Sequence, residues 1–124
     1  MRMCSIASGS SGNCIYIGSD NSHILIDAGI SGKRVEAGLK ELELQGTDVN
    51  GILITHEHSD HIRGLGVLAR KYDVPIYATP GTAAAIREMD GLGRIEEELF
   101  VEIGADVSFA IGDLKISPFR ISHD

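Results

Sequence analysis

The sequence predicts an α/β fold in which helices and sheet form separate layers. Short apolar runs alternate with stretches whose apolar residues recur at helical spacing, and turn residues separate most of them. One run, Ile52-Leu53-Ile54, has no polar face and so belongs inside a sheet. Taken in order, Cys4 to Ala7 and Cys14 to Gly18 read as strands. Gly18-Ser19-Asp20-Asn21 then turns the chain into a third strand from His23 to Asp27, completing an antiparallel meander. Ser31 is placed to cap a helix to about Leu44, with Val35, Leu39 and Leu42 on one face and Gly46 ending it. After the strand Ile52 to Ile54, helical spacing through Ile62, Leu65, Leu68 and Ala69 predicts a helix to about Tyr72. Pro75 leads into a strand from Ile76 to Ala78, and Thr79-Pro80 opens a helix toward Met89, closed by Gly91-Leu92-Gly93. Val107 to Ile111 and Leu114 to Phe119 form a hairpin around Gly112-Asp113.

Composition bounds the function. At 124 residues, 43% apolar and 23% charged, the chain is one globular domain or part of one. No run approaches the apolar length of a membrane span, and the N-terminus lacks the apolar core of a signal peptide, so a cytoplasmic protein with no membrane partner is expected. Cys4 and Cys14 share no metal-ligand spacing and serve as small packing residues. A net charge of −7 disfavours broad nonspecific nucleic-acid binding by charge alone. It leaves room for a phosphate substrate, because bound divalent ions would reverse the charge locally. The run Glu96-Glu97-Glu98 reads as a solvated face.

The chemistry concentrates in Thr55-His56-Glu57-His58-Ser59-Asp60-His61. The four motif side chains His56, His58, Asp60 and His61, all metal-capable, lie within six residues, directly after the apolar strand. In extended backbone residues i and i+2 share a side, so His56 and His58 can converge on one ion at about 2.0–2.1 Å. A bend into a helix would turn Asp60 and His61 toward a second ion, and two metals about 3.5–4 Å apart can clamp the oxygens of a reacting group. The order His-x-His-x-Asp-His excludes the His-Glu-x-x-His helix motif. It also excludes the deaminase pattern, whose cysteines would have to follow.

With that segment the chain resembles the metallo-β-lactamase-fold metallohydrolases, whose signature is His-x-His-x-Asp-His after an apolar strand. Ile24-Leu25-Ile26-Asp27-Ala28-Gly29, Thr55, and Ile121-Ser122-His123 after a hairpin agree with it. Within the superfamily, Ala7-Ser8-Gly9-Ser10-Ser11-Gly12-Asn13 and Ile121-Ser122-His123-Asp124 are most similar to the bacterial WalJ (YycJ) branch. The resemblance implies the N-terminal half of a four-layer αββα sandwich with the metals at one sheet edge. It implies that His56, His58 and His123 bind a first divalent ion and that Asp60 and His61 bind a second. Asp60 would also orient the attacking metal-activated hydroxide. Zinc is the first expectation, with manganese and iron fitting similar ligands. Asp27 would anchor backbone or a ligand histidine, or else make a local turn bond at the strand end. The loop from Gly9 to Asn13 could line the cleft or simply join two strands. His23 is expected to be a surface or packing residue, and Lys33, Arg34 and Arg63 solvated charges.

The family also places a bridging Asp and a last His well beyond the third histidine. The chain is therefore expected to be C-terminally incomplete and inactive alone. Residues 1–124 in isolation are expected to self-associate through uncovered sheet. The activity implied for the complete protein is hydrolysis of a phosphodiester in DNA or RNA. The alternatives are a thioester or lactone hydrolase, or a metal-binding module without catalysis.

Overall fold

The computed structural model describes residues 1–9, 12–104 and 106–117, and the strand backbone of 120–123. A six-stranded sheet runs in chain order: β1 (Arg2–Ala7), β2 (Cys14–Gly18), β3 (His23–Ile26), β4 (Gly51–Leu53), β5 (Ile76–Ala78) and β6 (Phe100–Glu102). The first three strands form the expected antiparallel meander, and β3 through β6 are parallel. The helices are α1 (Gly32–Glu41), α2 (Ser59–Ile62), α3 (Leu65–Tyr72) and α4 (Pro80–Arg87). A second, antiparallel sheet holds β7 (Phe109–Ile111), β8 (Leu114–Ser117) and β9 (Arg120–His123).

Strand alternation sorts the core onto two faces. Cys14, Tyr16, Leu25, Ile52, Ile54 and Ile76 pack against Val35, Leu39, Leu65, Leu68 and Ile86 of the helices. Their strand neighbours Ile15, Ile17, Ile24, Ile26, Leu53 and Tyr77 face the second sheet, meeting Phe109, Ile111, Leu114 and Ile116. The described residues thus build helix, sheet and sheet layers, three of the four that the family resemblance implies. Each fully buried Leu or Ile contributes about 1.5–3 kcal/mol by leaving water.

The differences from expectation have local causes. The region after the histidines is two helices, not one. Gly64 separates them, its N–H donating to the Ala28 carbonyl at 2.7 Å, and a Cβ there would run into the Ile30 carbonyl. Helix α1 ends at Glu41, capped by Leu42, because Glu43 turns left-handed (φ 63°), and Gly46 instead opens a 3₁₀ turn, Gly46–Asp48. Ser31 does cap α1, accepting the Arg34 N–H at 3.3 Å. Thr79 precedes α4 but its side chain caps nothing, meeting the Thr82 hydroxyl instead. β6 was not anticipated. The hairpin is shorter than expected, and Phe119 lies outside the described residues.

Register fixes the site. Ile26, Leu53 and Tyr77 sit level across β3, β4 and β5, so the segments that follow all leave the sheet at one edge. Carboxyl ends of parallel strands are where open α/β sheets bind ligands.

Candidate metal centre

Asp27 is the pivot of this edge. It leaves β3 in the left-handed region (φ 64°), which an Asp tolerates better than most residues, and its N–H donates to Leu53 O at 2.8 Å. The side chain is only 7% exposed. Oδ1 accepts the Thr55 N–H at 2.8 Å; Oδ2 accepts the Thr55 hydroxyl at 2.7 Å and His61 Nδ1–H at 2.6 Å. Asp27 therefore holds both a backbone amide and a histidine ring, not a local turn. With Nδ1 committed as donor, the His61 Nε2 lone pair is left for another partner.

The histidine-rich turn is also tied through its backbone. Ala28 N–H donates to His61 O, and Asn13 N–H to Asp60 O, both at 2.7 Å. Gly29 N–H donates to Asn13 O at 2.8 Å, and a Cβ on Gly29 would collide with the Asp60 carbonyl, so only glycine permits this approach. Asn13 Nδ2 reaches Gly9 O (3.1 Å), Asp60 O (3.2 Å) and Asp60 Oδ2 (3.4 Å), while its Oδ1 accepts the Gly9 N–H. The loop thus joins two strands and also anchors Asp60. The sequence places Asn13 in a loop that could line the cleft and Thr55 beside the motif, but gives neither a partner. The available signals were an amide beside glycine, able to donate and accept at once, and a hydroxyl directly before the first histidine.

The expected ligands gather unequally. His56 and His58 are exposed, and Asp60 and His61 half-buried. The His56 ring lies 4.9 Å from that of His61 and 6.1 Å from that of His58, and His61 Nε2 is 3.7 Å from Asp60 Oδ2. Among the described residues no three His, Cys, Asp or Glu side chains converge closely enough to hold a metal ion. His123 lies on β9 opposite Leu114, and its side chain is outside the described residues. The donor chemistry nevertheless fits a divalent cation. A ligating histidine ordinarily donates its other N–H to a carboxylate, which fixes ring and tautomer, and His61 has that arrangement with Asp27.

Cys14 lies beneath this region. Burial, and then the Asp27 charge, push its thiol up to about 12, so it stays protonated and packs rather than ligates. At the opposite end of β3, His23 Nδ1 shares a 2.6 Å hydrogen bond with the Tyr16 hydroxyl, and the two rings stack at 5.8 Å. This is the packing role expected of His23.

The family model for the metallo-beta-lactamase superfamily matches residues 7–118. Exodeoxyribonuclease YycJ of Bacillus anthracis is 49% identical over 119 residues, which is 96% of this chain and 44% of that protein. Exodeoxyribonuclease WalJ of Streptococcus pneumoniae D39 is 44% identical over 121 residues, again 96% of this chain and 44% of the relative. Among solved structures, MEM-A1, a subclass B3 metallo-beta-lactamase from a soil metagenome library, superposes with a TM-score of 0.76 at 22% identity. The match covers 93% of this chain and 48% of that one, and shares the fold. The chain spans less than half the length of these relatives.

Proposed function

Because this chain belongs to the metallo-beta-lactamase superfamily, we propose that it carries the metal-holding edge of a metal-dependent phosphodiesterase that cleaves DNA. The observation that carries the reading is the Asp27 carboxylate on His61 Nδ1, which leaves Nε2 for a cation. In this reading His56, His58 and His123 hold one divalent ion, and Asp60 and His61 a second. Zinc suits the imidazole and carboxylate donors best, with manganese or iron next. Divalent cations, when bound, supply the Lewis acidity that makes water nucleophilic near neutral pH and stabilises charge on a phosphoryl group.

The chain's own residues do the positioning. Asp27 keeps a proton on His61 Nδ1 and fixes the ring. Asn13 and Gly29 fix the Asp60 backbone, and in this reading the Asp60 carboxylate accepts a hydrogen bond from the attacking water. The chain's net charge of −7 repels a polyanion, so a DNA phosphate would be drawn by the cations rather than by a basic surface. The exodeoxyribonuclease names of the two relatives support DNA as the polymer.

The test is a side-by-side assay of the complete encoded polypeptide on single- and double-stranded DNA, RNA, bis-p-nitrophenyl phosphate and a thioester. Zinc- or manganese-dependent DNA cleavage is expected, with loss to background in His58→Ala and Asp60→Ala. Full activity in either variant overturns the metal reading, and turnover of the thioester alone overturns the phosphodiester reading.

A further inference from the structure

One hydroxyl links the two histidines at either end of the ligand cluster. Thr55 Oγ1 lies 2.7 Å from Asp27 Oδ2 and 3.1 Å from His56 Nδ1. A hydroxyl has a single proton to give. The carboxylate is both the nearer and the stronger acceptor, so the proton goes to Asp27. The Thr55 oxygen can then meet His56 Nδ1 only as an acceptor, which requires that nitrogen to carry hydrogen. The same carboxylate oxygen accepts His61 Nδ1–H at 2.6 Å, and that nitrogen lies 3.5 Å from the Thr55 oxygen. The chain runs His56 Nδ1–H to Thr55 Oγ1–H to Asp27 Oδ2, with His61 Nδ1–H as a second donor to the same oxygen.

We propose that Thr55 is a positioning residue that holds His56 in its Nδ1–H tautomer, so that one buried carboxylate presents the Nε2 atoms of both His56 and His61 to divalent cations. The inference rests on the metal site proposed above, but its tautomer content does not need the metal. His61 touches Asp27 directly, whereas His56 is reached only through the Thr55 hydroxyl. Removing that hydroxyl takes from His56 its link to the carboxylate, but from His61 only a long 3.5 Å contact, since its 2.6 Å bond to Asp27 remains. Valine suits the purpose, since it keeps the branched shape and leaves the Thr55 backbone N–H bond to Asp27 Oδ1 in place.

The experiment is nitrogen-15 NMR of the histidine rings in the metal-free complete polypeptide at pH 8, assigned with single His→Gln variants, beside zinc affinity from chelator competition. In the wild type both His56 and His61 are expected as Nδ1–H tautomers. Thr55→Val is expected to move His56 toward Nε2–H, the form an unconstrained histidine prefers, and to leave His61 unchanged. Zinc affinity is expected to fall about 10–100-fold, the usual cost of losing a hydrogen-bond partner behind a ligand. Thr55→Ser is expected to restore both readings. An Nε2–H tautomer for His56 in the wild type overturns the proposal without any variant. Persistence of Nδ1–H in Thr55→Val overturns the role of the hydroxyl. Wild-type protein that shows both tautomers but takes up no zinc overturns the metal reading and leaves the tautomer assignment standing.

Discussion

Strand β3 has a histidine held by its Nδ1 at either end, and the two ends differ in what does the holding. At the carboxyl end Asp27 takes His61 onto a buried carboxylate that also ties the Thr55 amide and hydroxyl. At the amino end His23 meets the Tyr16 phenol, its ring stacked on that of Tyr16, and Asn50 occupies its backbone on both sides. A phenol fixes a ring but brings no negative charge to it. A carboxylate makes the ring a better cation ligand, and here a second carboxylate, Asp60, faces the other nitrogen at 3.7 Å. One strand thus has a histidine fixed for packing at one end and, in the proposed reading, a histidine fixed for metal at the other. A cavity of about 610 Å³ opens at the His23 end, bordered by Arg2, Ser19 and Asp113, yet that end lacks the paired histidines.

The comparison is broken most severely at Asp27. Asp27→Asn keeps the shape and tolerates the left-handed backbone, but sets an amide NH2 either against the Thr55 N–H or against both the Thr55 hydroxyl and the His61 N–H. Orphaned buried donors cost about 1–3 kcal/mol each. The expected result in urea denaturation of the metal-free polypeptide is a loss of that order, with zinc affinity falling about 10–100-fold in chelator competition. An unchanged zinc affinity would place Asp27 in the same structural category as Tyr16.

The smaller effect belongs to the other end. Tyr16→Phe removes the hydroxyl from a side chain that is 1% exposed, at a cost of about 1 kcal/mol. Zinc affinity and hydrolysis are expected to stay at wild-type values. A loss of metal binding in Tyr16→Phe would mean that the two ends of β3 are coupled, which the packing gives no reason to expect.

The ease of reading the sequence followed the range of the interactions. The spacing His56, His58, Asp60, His61 and the apolar run before it are local, and they marked the edge where those residues lie. The meander was legible because β2 and β3 alternate cleanly between the two core faces. β6 was not, since Phe100-Val101-Glu102 is three residues of mixed polarity beside an acidic run, and pairing with β5 decides it. The break between α2 and α3 was hidden for a similar reason. Gly64 looks like an ordinary helix interruption until the Ala28 carbonyl and the Ile30 backbone close against it. The sequence marks Thr55 and the loop from Gly9 to Asn13 as near the site, but not what Asn13 and Thr55 hold, because their partners Asp60 and Asp27 stand 47 and 28 positions away. Hydrogen bonds of that span leave no periodicity.

The central claim is that one sheet edge holds divalent metal through these side chains. Crystals of the complete polypeptide grown with zinc, with anomalous data collected at the zinc edge, test it most directly. The account predicts peaks bounded by His56, His58, Asp60, His61 and His123 at about 2.0–2.2 Å, with His61 still on Asp27. Peaks bounded by other residues, or zinc-saturated crystals without a peak at this edge, would contradict it.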